Sequence, residues 1–339
     1  YTGVWSQASK EEVQEELDKG NKPVYRFRIP KKKTISFMDL VKGEQSFATD
    51  DLDDFIVRKK DSSPTFMFAN AIDDSLMGVD LVLRGDDHLS NTPRQIALLE
   101  SLNLSLPRYA HVSLFTGSDG APLSKRNGSL SISDLKEMGY LPIAVANYLS
   151  RVGHTINDND LKTQKELADS FETKNISSSP SKFDLDQLLF WQKKAVDNLT
   201  IDECASWLSG TLDNLPSTVQ ERSFIELIKE NINFPSEARE YVNNLFINAL
   251  SGDEENLKII QSAGQEFFIL ALEVVNPGIS DWKQTCKDIE ARTGKKGKEL
   301  FMPLRVAITG QTRGPELDKV IELIGLERVL ERLKEASQI

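Results

Sequence analysis

The first part of the chain shows short hydrophobic stretches with two different periods. Within Val24–Ile29 aromatic and basic residues alternate, which predicts a half-buried strand. Further β-like runs follow to about Arg58. The continuous apolar run "VDLVLRG" predicts a buried strand that ends at Gly85, whereas the pattern leaves the form of "PTFMFANAI" open.

A helix is predicted after the Gly85 strand, followed by a return strand. In "TPRQIALLESL", Thr92 is predicted as the N-cap, with Pro93 at the first helical position and Gln95 completing a capping box. "RYAHVSLFT" then predicts the next strand. Strands that alternate with a helix indicate a parallel α/β layer, where ligands gather beyond the carboxyl ends of the strands. "RGDDH" (Arg84–His88) lies at one such end.

From about Ser131 the pattern becomes helical. Helix starts are predicted where an oxygen-bearing residue precedes Glu or Gln by three positions, at Thr163, Asp184 and Thr200. Pro142 and Pro315 fit the first turns of helices. The chain shows no internal repeat, and "SSSPS" (177–181) is a candidate linker.

Composition limits the class of protein. A chain of 339 residues predicts two or three domains, and its fractions of 39% hydrophobic and 27% charged residues are those of a soluble globular protein. No apolar run approaches the ~18 residues of a membrane span, so we expect a cytoplasmic-type compartment and no membrane partner. Cys204 and Cys286 lie far apart inside helical patterns, which favours buried thiols over a zinc site or a disulfide.

The net charge of −11 hides local basic runs. Gly20–Lys33 carries six Lys or Arg residues and no acid, and Ala291–Lys298 carries four. Solvated surface explains either run equally well, but acidic proteins also bind nucleic acid through such stripes.

A loop and a strand end carry the candidate chemistry. "GAPLSKRNG" places Ser124, Lys125 and Arg126 between glycines after a predicted strand, where they could meet a transient polyanion such as departing pyrophosphate. A solvated turn is the alternative, and on the loop alone it is favoured. Arg84 is harder to dismiss, because a cation at the end of an apolar strand must be paired or lie in a polar cleft. It could grip a carboxylate with two hydrogen bonds.

The other polar residues near this strand end leave two interpretations open. Asp86, Asp87 and His88 could bind ribose hydroxyls or neutralise Arg84. His111 and His154 are predicted as structural histidines.

Several segments together resemble glutamyl-tRNA synthetase, a class I aminoacyl-tRNA synthetase of bacterial or organellar type. They are "RGDDHLSNTPRQIALLESL", "YAHVSLFTGSDGAPLSKRNG", "GYLPIAVANYLSRVGH" and "ELFMPLRVAITGQTRGPEL". The resemblance covers nearly the whole chain. It implies part of a Rossmann-like catalytic fold, followed by a helical stem-contact region and an α-helical anticodon-binding domain. The expected limits are 1–60 for the remainder of the acceptor-end insertion, 61–117 for the second half of the catalytic domain, 118–199 for the loop and stem-contact region, and 200–339 for the anticodon-binding domain.

The resemblance also implies roles for individual residues. "LSKRN" is similar to the family's lysine-serine-lysine loop, so Lys125 and Ser124 would be catalytic while glutamate is activated with ATP. Leu123, Arg126, Asp87 and His88 would join Lys125 in binding ATP or the adenylate, and Arg84 with Phe66 would bind glutamate. The implied tRNA contacts are Arg26, Arg28, Lys31, Lys32, Lys33, Lys295, Lys296 and Arg305.

Three features depart from the family's pattern. Pro122 replaces the first lysine of the loop, and Phe66 replaces a tyrosine of the amino-acid pocket. The family's His-x-Gly-His signature is absent from the sequence, which also begins with Tyr rather than Met. We therefore expect roughly the carboxyl-terminal two thirds of a synthetase, unable to catalyse by itself.

The expected function is that of a glutamate-tRNA ligase in translation, acting as a monomer in a bacterial-type cytoplasm or an organelle matrix. Its partners would be glutamate, ATP with Mg²⁺ and tRNA(Glu), with tRNA(Gln) left open, and no zinc is expected. A truncated paralogue that binds tRNA without catalysis and a purely structural module are the alternatives. A glutaminyl-type synthetase is a further one, but its anticodon region is built of β-barrels.

Overall fold

The computed structural model of the protein describes residues 3–117, 120–121, 123, 130–156, 158–250 and 254–339. The chain divides into two compact units. Unit 1 comprises Tyr1–Ser129, Leu149–Asp160 and Gln164–Phe183, and unit 2 comprises Leu130–Tyr148, Leu161–Thr163 and Asp184–Ile339.

The described strands lie in unit 1. They are β1 (Tyr25–Phe27), β2 (Thr34–Asp39), β3 (Gly43–Ala48), β4 (Phe55–Arg58), β5 (Leu81–Gly85), β6 (Arg108–Val112), β7 (Phe115–Thr116) and β8 (Ser181–Lys182). The main sheet has the order β3-β2-β6-β5, while β1 pairs with β4 and β7 with β8.

Helices make up most of the remainder. In unit 1 or at its boundary they are α1 (Lys10–Asp18), α2 (Phe66–Leu76) and α3 (Thr92–Ser101), and the chain continues with α4 (Ile132–Met138), α5 (Pro142–Leu149) and α6 (Gln164–Asp169). The helices after residue 184 are α7 (Leu185–Asn198), α8 (Ile201–Trp207), α9 (Glu221–Ile228), α10 (Pro235–Val242), α11 (Glu254–Ala263), α12 (Gln265–Val275), α13 (Trp282–Thr293), α14 (Lys298–Thr309) and α15 (Leu317–Ala336). No helix in the described ranges combines the length and apolarity that crossing a membrane requires.

The register of the main sheet brings distant residues together. β5 and β6 run parallel with Arg84 beside His111, and α3 connects them, which confirms the predicted α/β layer. β2 runs parallel to β6, with Asp39 paired to Tyr109. The end of β2 therefore lies beside the start of β6, whereas β5 and β6 are paired along their whole length, from Leu81 and Arg108 to Gly85 and Val112.

Local sequence signals explain several helix ends. The Asp184 side chain accepts hydrogen bonds from the backbone N–H groups of residues 186 and 187, and Thr200 forms a capping box with Glu203. Both predicted starts are confirmed. Pro142 is the first residue of α5, also as predicted, and α6 begins directly after Thr163.

Two predicted helix starts are wrong. The N-cap of α3 is Asn91, and Thr92 is already helical, because its hydroxyl faces Arg84 instead of capping the helix. Pro315 precedes α15, whose N-cap is Glu316. The Pro315 carbonyl oxygen accepts a hydrogen bond from Arg305 Nη2 at 2.9 Å, so this residue serves as an acceptor outside the helix.

The two units differ in their apolar interiors. Unit 1 has small clusters, one around Ile29, Ile96 and Tyr109 and another around Leu98 and Leu99. Unit 2 has one extensive cluster, formed by side chains from α8 through α15. Cys204 and Cys286 are buried within it as free thiols, as predicted, and burial raises the pKa of Cys286 to about 11.

Candidate active site

Arg84 lies near the carboxyl end of β5 and is held by three neighbouring side chains. Its Nε donates to His111 Nε2 at 3.2 Å. Its Nη2 donates to Thr92 Oγ1 and to Gln95 Oε1, each at 2.8 Å. Nη1 makes no hydrogen bond within the described ranges of the chain, so its N–H groups are the ones left for a ligand.

An entirely buried hydrogen-bonded pair, Asp39 and His111, lies behind Arg84. Asp39 Oδ2 is 2.6 Å from His111 Nδ1, and both side chains have 0% exposure. His111 Nε2 also lies 3.0 Å from Thr92 Oγ1. Asp39, His111, Arg84, Thr92 and Gln95 therefore form one connected chain of polar contacts from the interior to the strand end.

The Asp39 carboxylate is surrounded by donors. Its Oδ1 accepts hydrogen bonds from the backbone N–H groups of Val41 at 2.9 Å, Lys42 at 2.8 Å and His111 at 3.2 Å. Burial on its own would raise the pKa of Asp39, but these hydrogen bonds and the His111 ring lower it overall. Asp39 is therefore ionised, and the ring nitrogen Nδ1 donates to it.

His111 is neutral for a complementary reason. Burial lowers its pKa, and the nearby Arg84 charge adds to this, against the opposing effect of Asp39. A neutral ring whose proton is on Nδ1 has a lone pair on Nε2, which suits the Arg84 N–H that faces it. The prediction of a structural histidine at position 111 is confirmed, and the structure adds its link to Arg84.

Arg84 is partly desolvated without a buried carboxylate against it. Burial lowers the pKa of Arg84, and its guanidinium lies 5.6 Å from the centre of the Tyr109 ring. Burial also raises the pKa of Tyr109 to about 12 and raises that of Asp74, on which Arg84 acts in the opposite direction. Such a cation is suited to a ligand carboxylate, because the surrounding side chains orient it and do not neutralise it in contact.

The acidic residues after β5 point to different partners. Asp86 accepts from Lys42 Nζ at 2.9 Å, and this hydrogen bond is the main reason that the pKa of Asp86 is lowered. Asp87 is exposed, and its Oδ2 lies 3.7 Å from His88 Nε2. Neither carboxylate forms an ion pair with Arg84 among the described residues, although the negative charge of Asp87 acts to raise the pKa of Arg84 against the effect of burial. A Cβ at Gly85 would lie 2.4 Å from Asp87 Oδ1, so a larger residue there would require the exposed Asp87 side chain to move.

An aromatic surface lies beside this turn. The centres of the Phe66 and His88 rings are 5.5 Å apart, and Phe66 is 57% exposed at the start of α2. The Asn91 amide lies 3.0 Å from His88 Nδ1 and fixes the position of that ring. The two rings form a partly exposed aromatic surface beside the turn.

Lys42 fastens this turn to the rest of unit 1. Besides Asp86, its Nζ donates to Ser113 Oγ at 2.9 Å and to the Ser178 carbonyl oxygen at 2.7 Å. Sequence reasoning missed Lys42 and Asp39. Their only local signal is the short polar turn "DLVKG" between two β-like runs, which is common in proteins of every function.

The predicted phosphate loop is only partly described. The Leu123 N–H donates to the Phe115 carbonyl oxygen at 3.1 Å, which ties the loop entrance to β7. Pro122, Ser124, Lys125 and Arg126 lie outside the described residues, so their assignments remain predictions.

Three side chains of the first basic run donate to backbone carbonyl oxygens of other segments of unit 1. Arg26 Nη1 donates to the Asp54 carbonyl oxygen at 3.1 Å, and Arg28 Nη2 to that of Ser6 at 3.3 Å. Lys31 Nζ donates to two carbonyl oxygens, those of residues 49 and 52, at 3.2 and 2.7 Å. Lys32 has a left-handed backbone, with φ 61°, and the side chains of Lys32 and Lys33 are exposed.

The basic residues predicted in unit 2 differ among themselves. Lys295 Nζ donates to the Ala263 carbonyl oxygen at 2.5 Å and lies 4.9 Å from the Phe267 ring centre. Lys296 pairs with Glu290 at 3.2 Å on the surface. Arg305 is half-buried, and its Nη1 is a buried donor without an acceptor in the described ranges.

Among the described residues, no three His, Cys, Asp or Glu side chains lie close enough together to hold a metal ion.

Comparisons with known proteins identify the family. The profile "tRNA synthetases class I (E and Q), catalytic domain" matches residues 1–190, and the profile "Anticodon binding domain" matches residues 193–337. Glutamate-tRNA ligase 1 of Halorhodospira halophila is 44% identical over 339 residues, which cover 100% of this chain and 71% of that protein. The chain belongs to the glutamate-tRNA ligase family.

Two further comparisons agree with placing the chain in the glutamate-tRNA ligase family. Glutamate-tRNA ligase 2 of Nitrosococcus oceani is 44% identical over 334 residues, covering 98% of this chain and 71% of that protein. The solved glutamate tRNA ligase from Elizabethkingia meningosepticum, in complex with its amino acid, superposes with a TM-score of 0.83 at 24% identity, covering 98% of this chain and 72% of that one. The structural likeness supports the fold, and the sequence relatives support the family.

Proposed function

We propose that the protein activates glutamate with ATP to form glutamyl-adenylate and transfers the glutamyl group to tRNA. The observation that carries this proposal is the match of the catalytic and anticodon-binding profiles in order along one chain, with 44% identity to a glutamate-tRNA ligase. In the first step a glutamate α-carboxylate oxygen bonds to the α-phosphorus of ATP and pyrophosphate leaves. In the second step a terminal tRNA hydroxyl attacks the acyl carbon and AMP leaves.

Arg84 is proposed to hold the glutamate side-chain carboxylate. Three protein acceptors occupy its Nε and Nη2, so the carboxylate would be met through Nη1. The sequence predicted that Arg84 binds the carboxylate through two hydrogen bonds. The geometry allows this if both come from Nη1, or if the carboxylate displaces Thr92 or Gln95 from Nη2. Phe66 would line the pocket through apolar contact only.

Lys125 and Ser124 are proposed to act on the ATP phosphates, with Leu123 and Arg126 in the same loop. A cation that meets growing negative charge on departing pyrophosphate stabilises the transition state more than the ground state. Asp87 and His88, at the end of β5, are proposed to line the adenylate. Mg²⁺ is assigned to the phosphates of ATP, since the described side chains form no metal cluster.

Unit 2 and the two basic runs are proposed to bind tRNA. The exposed side chains of Lys32, Lys33 and Lys296 can contact phosphates, which contributes affinity but little discrimination. Lys31 and Lys295 are bonded to backbone carbonyl oxygens and are weaker candidates. Arg305 is also a weaker candidate, because its Nη1 is buried and its Nη2 donates to the Pro315 carbonyl oxygen.

The glutaminyl alternative fits the fold less well. The resemblance implies β-barrels in the anticodon region of that enzyme, whereas residues 184–339 are helical in every element that the structure describes there. We therefore propose tRNA(Glu) as the cognate partner, with tRNA(Gln) to be tested beside it.

The 339 residues contain three histidines, and none lies in a His-x-Gly-His sequence. We propose that the polypeptide of these residues does not form adenylate by itself, because ATP must be held in register with the carboxylate. It should still bind tRNA weakly, with an affinity that falls as salt rises.

The test is attachment of labelled glutamate and glutamine to tRNA(Glu) and tRNA(Gln), for residues 1–339 alone and for the same residues joined to the family's His-x-Gly-His region, called here the intact enzyme. Glutamate on tRNA(Glu) supports the proposal, whereas a preference for glutamine, or tRNA binding without any charging by the intact enzyme, contradicts it. Lys125→Ala should slow pyrophosphate release ~10²-fold. Lys136→Ala, on the exposed surface of α4, is the matched lysine control.

A further inference from the structure

A buried pair on two neighbouring strands determines which atoms face Arg84. Asp39 closes β2, His111 lies in β6, and both side chains have 0% exposure. Neither side chain reaches the solvent. His111 Nε2 accepts a hydrogen bond from Arg84 Nε at 3.2 Å and so connects the pair to the strand end.

The hydrogen bonds around Asp39 fix its orientation and charge. Three backbone N–H groups, from residues 41, 42 and 111, converge on Oδ1, so that oxygen must be an acceptor. Oδ2 then faces His111 Nδ1 at 2.6 Å. With the carboxylate ionised, Nδ1 carries the ring proton and Nε2 carries the lone pair.

We propose that Asp39 and His111 are positioning residues for Arg84: Asp39 holds the His111 ring with its proton on Nδ1, so that Nε2 accepts from Arg84 Nε and fixes the guanidinium. The other tautomer would direct an N–H of the ring at an N–H of Arg84. Thr92 and Gln95 hold Nη2, and together these contacts present Nη1 to the ligand. The expected change in glutamate KM rests on the proposed function, in which Arg84 binds the glutamate carboxylate. The expected tautomer of His111 does not.

The first experiment reads the tautomer directly. Nitrogen-15 NMR of the labelled 339-residue chain resolves three histidines, and His154→Gln and His88→Gln assign their signals by elimination. His111 is expected to carry its proton on Nδ1 at pH 7.5. A proton on Nε2 in the wild-type chain overturns the proposal, whether or not Arg84 binds glutamate.

The second experiment reverses the tautomer with almost no change of shape. In Asp39→Asn the amide oxygen stays with the three backbone donors, so its NH₂ faces Nδ1 and the ring proton moves to Nε2. A tautomer set by a buried carboxylate is known to govern function in the serine protease triad. We expect the His111 proton on Nε2 and, in the intact enzyme, a glutamate KM at least tenfold higher, with kcat and the ATP KM within about twofold.

Controls separate positioning from folding and from the proposed function. His154→Gln removes a histidine elsewhere in unit 1 and should leave the glutamate KM unchanged. An altered tautomer with an unchanged glutamate KM overturns the positioning role, as does an equal loss in KM for ATP. If Arg84→Ala itself leaves the glutamate KM unchanged, the assignment of Arg84 fails while the tautomer measurement stands. If Asp39→Asn does not fold, the tautomer of His111 measured in the wild-type chain still tests the proposal.

Discussion

The two units bury polar side chains in different ways. In unit 2, Asn147, Gln192, Asn256 and Arg332 all donate to backbone carbonyl oxygens. In unit 1, Asp39, His111, Thr92 and Gln95 form a linked network of side chains that reaches Arg84, and backbone N–H groups also donate to Asp39. A carbonyl contact completes the hydrogen bonding of a helix end, whereas a linked network orients one group at its end.

The difference has an energetic consequence. Unit 2 has an extensive apolar cluster, and its buried polar residues satisfy loop carbonyls that would otherwise be costly to bury. Unit 1 has small clusters, and its buried polar network leads to the partly buried charge of Arg84. We therefore expect changes to buried polar groups to affect stability in unit 2 and ligand binding in unit 1.

The largest expected effect is on the stability of unit 2. Arg332 is 1% exposed and bonds to the carbonyl oxygens of Asn248, at 2.7 Å, and Asn244. Arg332→Ala should lower the free energy of unfolding by about 3 to 5 kcal/mol, because it leaves buried acceptors unpaired and creates a cavity. Chemical denaturation measures this change. Lys319→Ala, at an exposed position in the part of α15 that precedes the break at Gly325, should have little effect.

A smaller effect is expected in unit 1, and on ligand binding. Arg84→Ala should raise the glutamate KM of the intact enzyme ~30-fold, equivalent to about 2 kcal/mol, because a charged hydrogen bond to the carboxylate is lost. Glutamine should be affected much less. Steady-state charging kinetics provide the measurement, with Arg94→Ala as the control on α3. An equal loss for both amino acids would show that Arg84 has a structural role.

The sequence predicts the elements of unit 1 better than its connections. Strand and helix periods locate β5, α3 and β6, and together they place Arg84 at a strand end. They do not reveal that Asp39 and His111, 72 positions apart, meet beneath it. That contact depends on strand order, which periodicity does not encode.

The wrong N-cap at Thr92 shows a local rule overridden by a tertiary contact. A Thr-Pro-x-Gln sequence satisfies the capping rule. Here, however, Thr92 Oγ1 and Gln95 Oε1 accept hydrogen bonds from the partly buried Arg84 guanidinium instead of capping the helix. In unit 2, Thr200 meets no such competitor in the structure, and its predicted capping box is confirmed.

The smallest expected effect is a pH dependence confined to unit 1. The folded pKa of His111 lies below its ordinary 6.5, through burial and then Arg84, while Asp39 and Asp86 act in the opposite direction. Below pH 6.5 the unfolded chain therefore binds a proton that the folded chain excludes, so stability is greatest above 6.5 and falls with acidification. The depressed pKa of Asp39 acts with the same sign, but only below its ordinary 3.8. Hydrogen exchange at pH 7.5 and 5.5, corrected for intrinsic rates, should show β6 losing protection relative to α12 at the lower pH. His111→Asn should remove most of that difference, and equal loss of protection in both elements would contradict the assignment to His111.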